Sequence, residues 1–384
     1  MTTDLPQGFK EMLNRLMGEE AQELIEALNQ PPATSVRLNK RKPGAEFMET
    51  QPVAWCQSGL YLKERPEFIF DPLLHAGAYY VQDASSMIYE TVASRLLELF
   101  QAEAHDDTPY LKILDLCAAP GGKTTAIINA LPDGSDVVTN EYSAKRVGAL
   151  KENIDKWGYP NVKVANKDSA FYGAQGESYD IVAVDAPCSG EGMMRKEEMA
   201  RKQWSLGLVD NCASLQKEIL GNAVKALKPG GFLIYSTCTF NREENEKNAQ
   251  YINETLGLTP VDMHFPAEWG IPGGIDTRLP VYRFMPHKTK GEGLFLAVFR
   301  KPGVWTGFRK PLRNNTETTP CSPLINVDKA TALAYLRRES IVLPPDTPKG
   351  IVTIAYKDLP LGEAKNIGSR ANNLYPKNRR ILKR

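Results

Sequence analysis

The chain has 384 residues, of which 42% are apolar and 24% charged, and a formal net charge of +1. That length builds two or three domains with sizeable cores, the composition excludes bulk disorder, and near-neutrality excludes a global field that gathers polyanions, so any nucleic-acid contact must come from local basic patches. Six cysteines without a C-x-x-C pair argue against zinc and a disulfide framework, and a start without a basic-then-apolar signal, MTTDLPQGFKEML, together with no apolar run approaching ~18 residues, predicts a cytoplasmic protein with reduced thiols, no metal and no membrane span.

Over residues 5–30 apolar side chains recur at helical spacing, first Phe9, Leu13 and Leu16, then Ala21, Leu24, Ile25 and Leu28, until Pro31-Pro32 ends the second helix. Residues 35–38 and 59–62 read as strands, so the first ~70 residues form a small α+β cap. Arg37, Lys40, Arg41 and Lys42 cluster there, either as a solvated edge or as a patch that contacts phosphate. Tyr79-Tyr80-Val81-Gln82-Asp83 leads into a helix over 84–100 that Asp83 caps, and 105–109 is a loop.

The segment YLKILDLCAAPGGKTT (110–125) follows, an apolar strand, a turn of small residues and a helix start. Gly121 and Gly122 let bare backbone approach a ligand, and the first helical N–H groups have no partner within the helix. From there strands at 137–139, 162–165, 179–185 and 232–236 alternate with helices at 143–156 and 210–227, the rhythm of a parallel, doubly wound sheet. LFLAVF (294–299) adds a last strand, antiparallel, opposite 282–285. Residues 304–323 read as a linker, and a third unit from about residue 325 carries a helix at 328–338 and a strand at 351–356. Its last stretch, 365–384, has seven basic side chains and no acidic one, with Asn372, Asn373 and Tyr375 interleaved, which fits RNA contact as well as a solvated tail.

Three ligands compete for the loop at 117–123. A dinucleotide needs G-x-G-x-x-G, and only the pair Gly121-Gly122 is present; a P-loop needs G-x-x-x-x-G-K-[ST], and Cys117 stands where its first glycine belongs. The third is S-adenosylmethionine in a class I methyltransferase, and the rest of the chain favours it. Ligands of such sheets sit outside the carboxyl ends of the strands, where this chain places 115–122, Glu141, Asp168, Asp185-Ala-Pro-Cys188 and Ser236-Thr-Cys238. Glu141 suits the two ribose hydroxyls of a nucleoside, Asp168 an adenine amine, and Asp185 either a cationic amine or a target base.

Cys188 and Cys238 end what should be adjacent strands, whereas Cys56, Cys117, Cys212 and Cys321 read as small buried hydrophobes. Cys238 precedes a polar helix start, NREEN, and a helix N-terminus with nearby Arg or Lys favours the thiolate. Methylation at carbon 5 of a pyrimidine needs such a thiolate, because carbon 5 becomes nucleophilic only after sulfur adds to carbon 6. Methylation of an exocyclic amine needs none, and an Asn/Asp-Pro-Pro-aromatic loop would stand where Asp185-Ala-Pro-Cys188 stands.

DLCAAPGGKT (115–124), DAPCSGEGMMRK (185–196), STCTF (236–240) with NREENE, and RFMPHKTKGEGLFLAVF (283–299) resemble the motifs of RNA 5-methylcytosine methyltransferases, and among these the bacterial RsmF-like enzymes that modify 16S ribosomal RNA. GEAKNIGSRANNLYPKNRR (362–380) is similar to the end of a PUA-like RNA-binding module. The resemblance implies a Rossmann-like methyltransferase domain over 76–302 between an RNA-recognition cap (1–75) and, after a linker (303–324), a PUA-like domain (325–384). It also implies S-adenosylmethionine as cofactor, RNA as partner and cytosine-C5 transfer through a Cys–C6 adduct. Cys238 would be the nucleophile, Cys188 the thiol of product release, and Asp185 a third catalytic group. The cofactor would be bound by Cys117, Ala118, Ala119, Pro120, Gly121, Gly122, Lys123, Glu141, Asp168 and Asp185. A tRNA cytosine is the alternative substrate. From other classes, a P-loop-like NTPase would place Lys123 and Thr124 on phosphates and Mg²⁺, and a non-catalytic RNA-binding assembly factor would not need Cys238. The expected state is a monomer.

Overall fold

A computed structural model describes residues 4–104, 110–307 and 322–383. The expected loop 105–109, most of the expected linker, Cys321 and Arg384 lie outside the described residues.

Helices α1 (Gln7–Met17) and α2 (Ala21–Leu28) bury Phe9, Leu13, Ala21, Leu24 and Leu28, the apolar stripe the spacing predicts. They pack on Met194, Trp204, Phe240 and Met285 of the central unit, so the cap and the central unit share a core. Strands β1 (Thr34–Leu38), β2 (Thr50–Val53) and β3 (Cys56–Leu62) precede the short α3 (Pro72–Ala76), and β4 (Tyr79–Val81) completes an antiparallel sheet in the order β2-β3-β1-β4. The cap's sheet therefore runs past residue 75, because Val81 pairs with Val36.

The basic cluster in this cap is neither a solvated edge nor a phosphate patch. Arg37 is fully buried, donating to Gln82 Oε1 (2.8 Å) and to Thr125 O (3.2 Å) and Oγ1 (2.5 Å), with its guanidinium 4.5 Å over the Trp157 ring. Lys40 pairs with Glu90 at 2.7 Å, and Arg37 lies 3.9 Å from the same carboxylate. Arg41 donates to Ile128 O and Leu131 O (both 2.9 Å), and Lys42 to Ala76 O (2.8 Å) and Lys156 O (2.6 Å). These carbonyls end three helices, where backbone oxygens lack internal partners and the dipole favours cations.

The central unit follows as α4 (Ile88–Ala104), β5 (Lys112–Asp115), α5 (Gly122–Ala130), β6 (Asp136–Asn140), α6 (Ala144–Trp157), β7 (Val162–Ala165), α7 (Ser169–Ala174), β8 (Tyr179–Asp185), α8 (Glu198–Gln203), α9 (Leu206–Ala226) and β9 (Leu227–Thr237). Then come α10 (Glu246–Gln250), β10 (Thr259–Pro260), β11 (Val281–Phe284) and β12 (Leu294–Arg300). Strands β9-β8-β5-β6-β7 are parallel in that order, and β12 is antiparallel beside β9. The strand order turns back at β5, between β6 and β8, where open α/β sheets hold ligands. A short 3-10 turn (Ser85–Met87) precedes α4, and Asp83 accepts the Ser86 N–H at 3.3 Å, as a cap does. Helix α9 begins four residues before its apolar pattern, because Ser205 accepts the Leu208 N–H at 3.1 Å.

The C-terminal unit is a sheet of β13 (Leu324–Asn326), β14 (Gly350–Tyr356), β15 (Leu359–Asn366) and β16 (Ala371–Asn373) with α11 (Lys329–Leu336), and its core includes Ala76 of α3. Tyr375 is buried with its ring 5.5 Å from Tyr335, and Asn373 donates to Tyr335 O at 2.7 Å, so these two serve the fold and not an exposed RNA surface. Arg379 pairs with Asp155 at 2.6 Å and Lys383 with Glu67, while Lys365, Arg370, Lys377 and Arg380 remain exposed. Among the described residues no helix is long and apolar enough to cross a membrane, and no group of His, Cys, Asp and Glu is placed to hold a metal.

Removing the Arg37 guanidinium leaves the buried Gln82 Oε1 and Thr125 O without their donor and takes one of two cations from Glu90. The variant Arg37→Met should lose about 3–5 kcal/mol of stability, read by denaturant unfolding; a loss no larger than that of an exposed Arg→Met control would contradict this role.

Candidate active site

The carboxyl ends of β5, β6, β7, β8 and β9 open onto a cleft of about 860 Å³. It is lined by Cys117, Ala118, Ala119, Pro120, Gly122, Lys123, Glu141, Asp168, Asp185, Cys188 and Cys238, which is every predicted site residue except Gly121. Gly121 shapes the loop from behind. Its φ of +106° is in the left-handed region, and an added Cβ would meet Leu150 at 3.2 Å. The loop is tied to the next strand by Ala118 N–H to Asn140 O (2.8 Å), and the Asn140 amide reaches Leu116 O and Lys167 O (both 3.0 Å). Asn140 thus fastens three strand ends; the sequence reading passed over it for Glu141.

Glu141 is 5% exposed. Its Oε1 accepts the Ser143 N–H at 2.8 Å, while Oε2 is buried without a hydrogen bond, 3.3 Å from the Arg146 guanidinium. An acceptor left open on the cleft wall fits a ligand's hydroxyls. Tyr142 beside it is 72% exposed, an aromatic face that a planar ring can cover. Asp168 is exposed and caps α7, accepting the Ala170 N–H at 2.8 Å, so the helix-cap role and a place on the cleft coincide.

Asp185 is held on both oxygens, by Lys123 Nζ at 2.7 Å on Oδ2 and by Ser236 Oγ at 2.7 Å on Oδ1; Tyr89 OH lies 2.8 Å behind Ser236. Burial opposes the Lys123 charge, but Asp185, then Cys238 and Asp83, outweigh it and keep the pKa above the ordinary value. The Thr124 hydroxyl donates to Asp115, buried behind the loop. Lys123 and Thr124 are therefore turned to carboxylates, and the P-loop arrangement is not formed.

The two thiols meet. Cys188 Sγ lies 3.2 Å from Cys238 Sγ, since Asp185 and Ser236 are directly paired in the β8–β9 ladder. The hydrogen bond with Cys238 and burial push the Cys188 thiol well above its ordinary pKa, so it stays protonated. Burial also pushes up Cys56 and Cys212, each to about 11, and Cys117 further. The expected helix N-terminus at Cys238 is absent: 241–245 form turns and α10 starts only at Glu246. The cation near Cys238 is Lys123 instead.

Two buried carboxylates pin the loops that carry these thiols. Glu191 accepts the N–H groups of Phe240 (2.6 Å) and Asn241 (3.0 Å) and the Trp204 indole N–H (3.0 Å); Glu244 accepts the Ser189 N–H (3.0 Å) and the Gln216 amide (2.7 Å). Neither was foreseen, because acidic residues in GEG and REEN read as ordinary surface charge. Of the large side chains beside the two cysteine loops, Met193 lines the cleft, whereas Met194, Tyr235 and Phe240 are core.

Fold and site together define a class I S-adenosylmethionine-dependent methyltransferase: the switch-point cleft, the small-residue loop and the open acidic acceptor after β6 fit that cofactor. The chain belongs to the RsmB/F family, since the family model described as 16S rRNA methyltransferase RsmB/F matches residues 102–300. Those for the N-terminal domain of 16S rRNA methyltransferase RsmF and for the methyltransferase RsmF PUA domain match 5–84 and 322–381. It is 32% identical to the ribosomal RNA small subunit methyltransferase F of Pectobacterium atrosepticum, over 88% of this chain and 71% of that protein. It is 36% identical to that of Vibrio cholerae, over 66% of this chain but only 54% of the relative's length. The fold is shared with NSun6 from Pyrococcus horikoshii with SFG (TM-score 0.66, 22% identity, 79% of this chain and 100% of that one). It is shared equally with a methyltransferase homolog protein of that organism (TM-score 0.65, 24% identity, 77% and 95%).

Burial raises Asp115 to about 7, against 3.8 for an ordinary aspartate. Between these values the folded state holds a proton that the unfolded state releases, so stability falls as pH rises through that window. The stability of the wild type relative to Asp115→Asn should therefore decline from pH 3.8 to about 7; unfolding curves with a constant difference over that range would contradict it.

Proposed function

We propose that the protein transfers a methyl group to carbon 5 of a cytosine in RNA, 16S ribosomal RNA being the substrate, through a covalent adduct with Cys238. The observation that carries this is the pair of thiols 3.2 Å apart at the end of the cleft beside Lys123. Bound along Cys117 to Lys123, Glu141, Asp168 and Asp185, S-adenosylmethionine supplies an electrophilic methyl group.

The chain's own residues prepare the acceptor. The Cys238 sulfur, attacking as the thiolate beside the Lys123 ammonium, bonds to carbon 6, and the electron pair of the carbon 5–carbon 6 double bond moves to carbon 5, which becomes the nucleophile. After methylation a base removes the carbon 5 proton, the carbon–sulfur bond breaks and the double bond returns. Cys188, hydrogen-bonded to Cys238, supports the departing sulfur and so assists release. Asp185 anchors Lys123 between the two halves of the cleft. The target base has to leave any helix to reach these thiols. The remaining units would grip the RNA: a cap, which its sheet extends to Val81, and a C-terminal domain from 325 with exposed Lys365, Arg370, Lys377 and Arg380.

Glu141→Ala should weaken S-adenosylhomocysteine binding roughly ten- to hundredfold by calorimetry, the cost of losing hydrogen bonds to a charged acceptor; unchanged affinity would remove Glu141 from the cofactor site. The decisive experiment follows labelled methyl from S-adenosylmethionine into unmodified 16S ribosomal RNA. Cys238→Ala should abolish transfer and Cys188→Ala should accumulate an RNA–protein adduct. Transfer that survives Cys238→Ala would overturn the nucleophile, and transfer into tRNA alone would overturn the substrate.

A further inference from the structure

A site that methylates cytosine must refuse uracil, which differs at carbon 4: cytosine offers an amine that donates, uracil a carbonyl that accepts. An ionised carboxylate accepts only, so it welcomes the first and repels the second. Six carboxylates line the cleft: Asp83, Glu141, Asp168, Asp185, Glu218 and Glu292. Asp185 is engaged by Lys123 and Ser236, and Asp83 by the N–H groups of Ser86 (3.3 Å) and Glu292 (2.9 Å). Asp168 caps α7, Glu218 is exposed, and Glu141 stands at the cofactor loop.

Glu292 is different. It is 5% exposed, and both of its oxygens are buried without a hydrogen bond. Lys196 Nζ at 3.5 Å and the Arg195 guanidinium at 4.0 Å favour its charge, against burial and Asp83, which raise its pKa. Arg195 does not depend on it, since it donates to Gln30 O (2.9 Å), Pro31 O (2.8 Å) and Gly291 O (3.2 Å).

Its place is next to the nucleophile. A Cβ on Gly192 would come within 2.8 Å of Glu292 O and 3.0 Å of Cys238 O, so these two backbones flank one glycine. Gly293, with φ +109°, packs against the Phe240 ring two residues beyond Cys238. We propose that the Glu292 carboxylate accepts the exocyclic amine of the target cytosine and thereby sets cytosine over uracil. This rests on the reading of Cys238 as the attacking thiol.

The test is covalent trapping on small-subunit ribosomal RNA transcribed with 5-fluorocytidine or with 5-fluorouridine, in the presence of S-adenosylmethionine, where fluorine at carbon 5 blocks release. The intact protein should trap on the cytosine RNA and not on the uracil RNA. Glu292→Gln, isosteric and able to donate to uracil O4, should trap cytosine roughly ten- to hundredfold less and uracil more, and Glu292→Ala should lose the preference without gaining uracil. Thermal unfolding and S-adenosylhomocysteine affinity like those of the wild type would show that the variants fold. If both variants trap the cytosine RNA as the intact protein does, or if Glu292→Gln loses cytosine trapping without gaining any on uracil, the proposal is overturned. If the intact protein traps neither RNA, the thiol reading fails first.

Discussion

The site depends on the parallel pairing of β8 with β9, in which Asp185 stands opposite Ser236. Ile181, Val182, Ala183 and Val184 are fully buried on one strand and Leu233, Ile234 and Tyr235 on the other, so both faces are packed and a slip of one residue would exchange the side chains fitted to each face. That register brings the loops after the strands side by side, and the two thiols into contact. What keeps them there is polar. Glu191 and Glu244 lie wholly inside, and the cost of burying their charge is offset by backbone N–H groups, an indole and amides aimed at them. Gly192 makes room for this packing, having carbonyls close on two sides.

The cleft has two halves, and Lys123 belongs to both. It lies in the first turn of α5, at the end of the cofactor loop, yet its ammonium reaches Asp185 at the end of β8, the strand beside β5 in the sheet, and feels Cys238. One side chain thus couples the place where the cofactor lies to the place where the thiolate forms. Asp115, behind the loop, has its pKa raised to about 7 by burial and is therefore only partly ionised near neutrality.

The cap and the C-terminal unit are fastened to this core by cations used as structural caps. Arg41 and Lys42 close the carboxyl ends of three helices, Arg37 is sandwiched between Trp157 and the Thr125 backbone, and Arg379 and Lys383 reach across to Asp155 and Glu67. Basic residues that would suggest nucleic acid are partly consumed within the protein. The exposed remainder is smaller than the composition of the tail implies.

The doubly wound sheet, the strand ends and the loop motifs were legible because they depend on local patterns: apolar runs of strand length, small residues in a turn, and a polar residue at each strand end. The same logic placed Cys188 and Cys238 on neighbouring strands before any coordinates. Local pattern says nothing about where a long side chain ends. Arg37, Glu191, Glu244 and Glu292 are charged, and charge alone predicts exposure; their burial depends on groups distant along the chain, 13 positions for Glu191 and Trp204 and 88 for Arg37 and Thr125. Tyr375, interleaved with basic residues that fit RNA contact, is core, and the polar run after Cys238 forms turns rather than a helix start. Thus the amino-acid sequence by itself determined the chemistry available and the sheet that displays it. Only the tertiary structure decided which carboxylates are engaged and which remain open, because desolvation and hydrogen-bond geometry arise from packing between segments that the order of residues does not bring together.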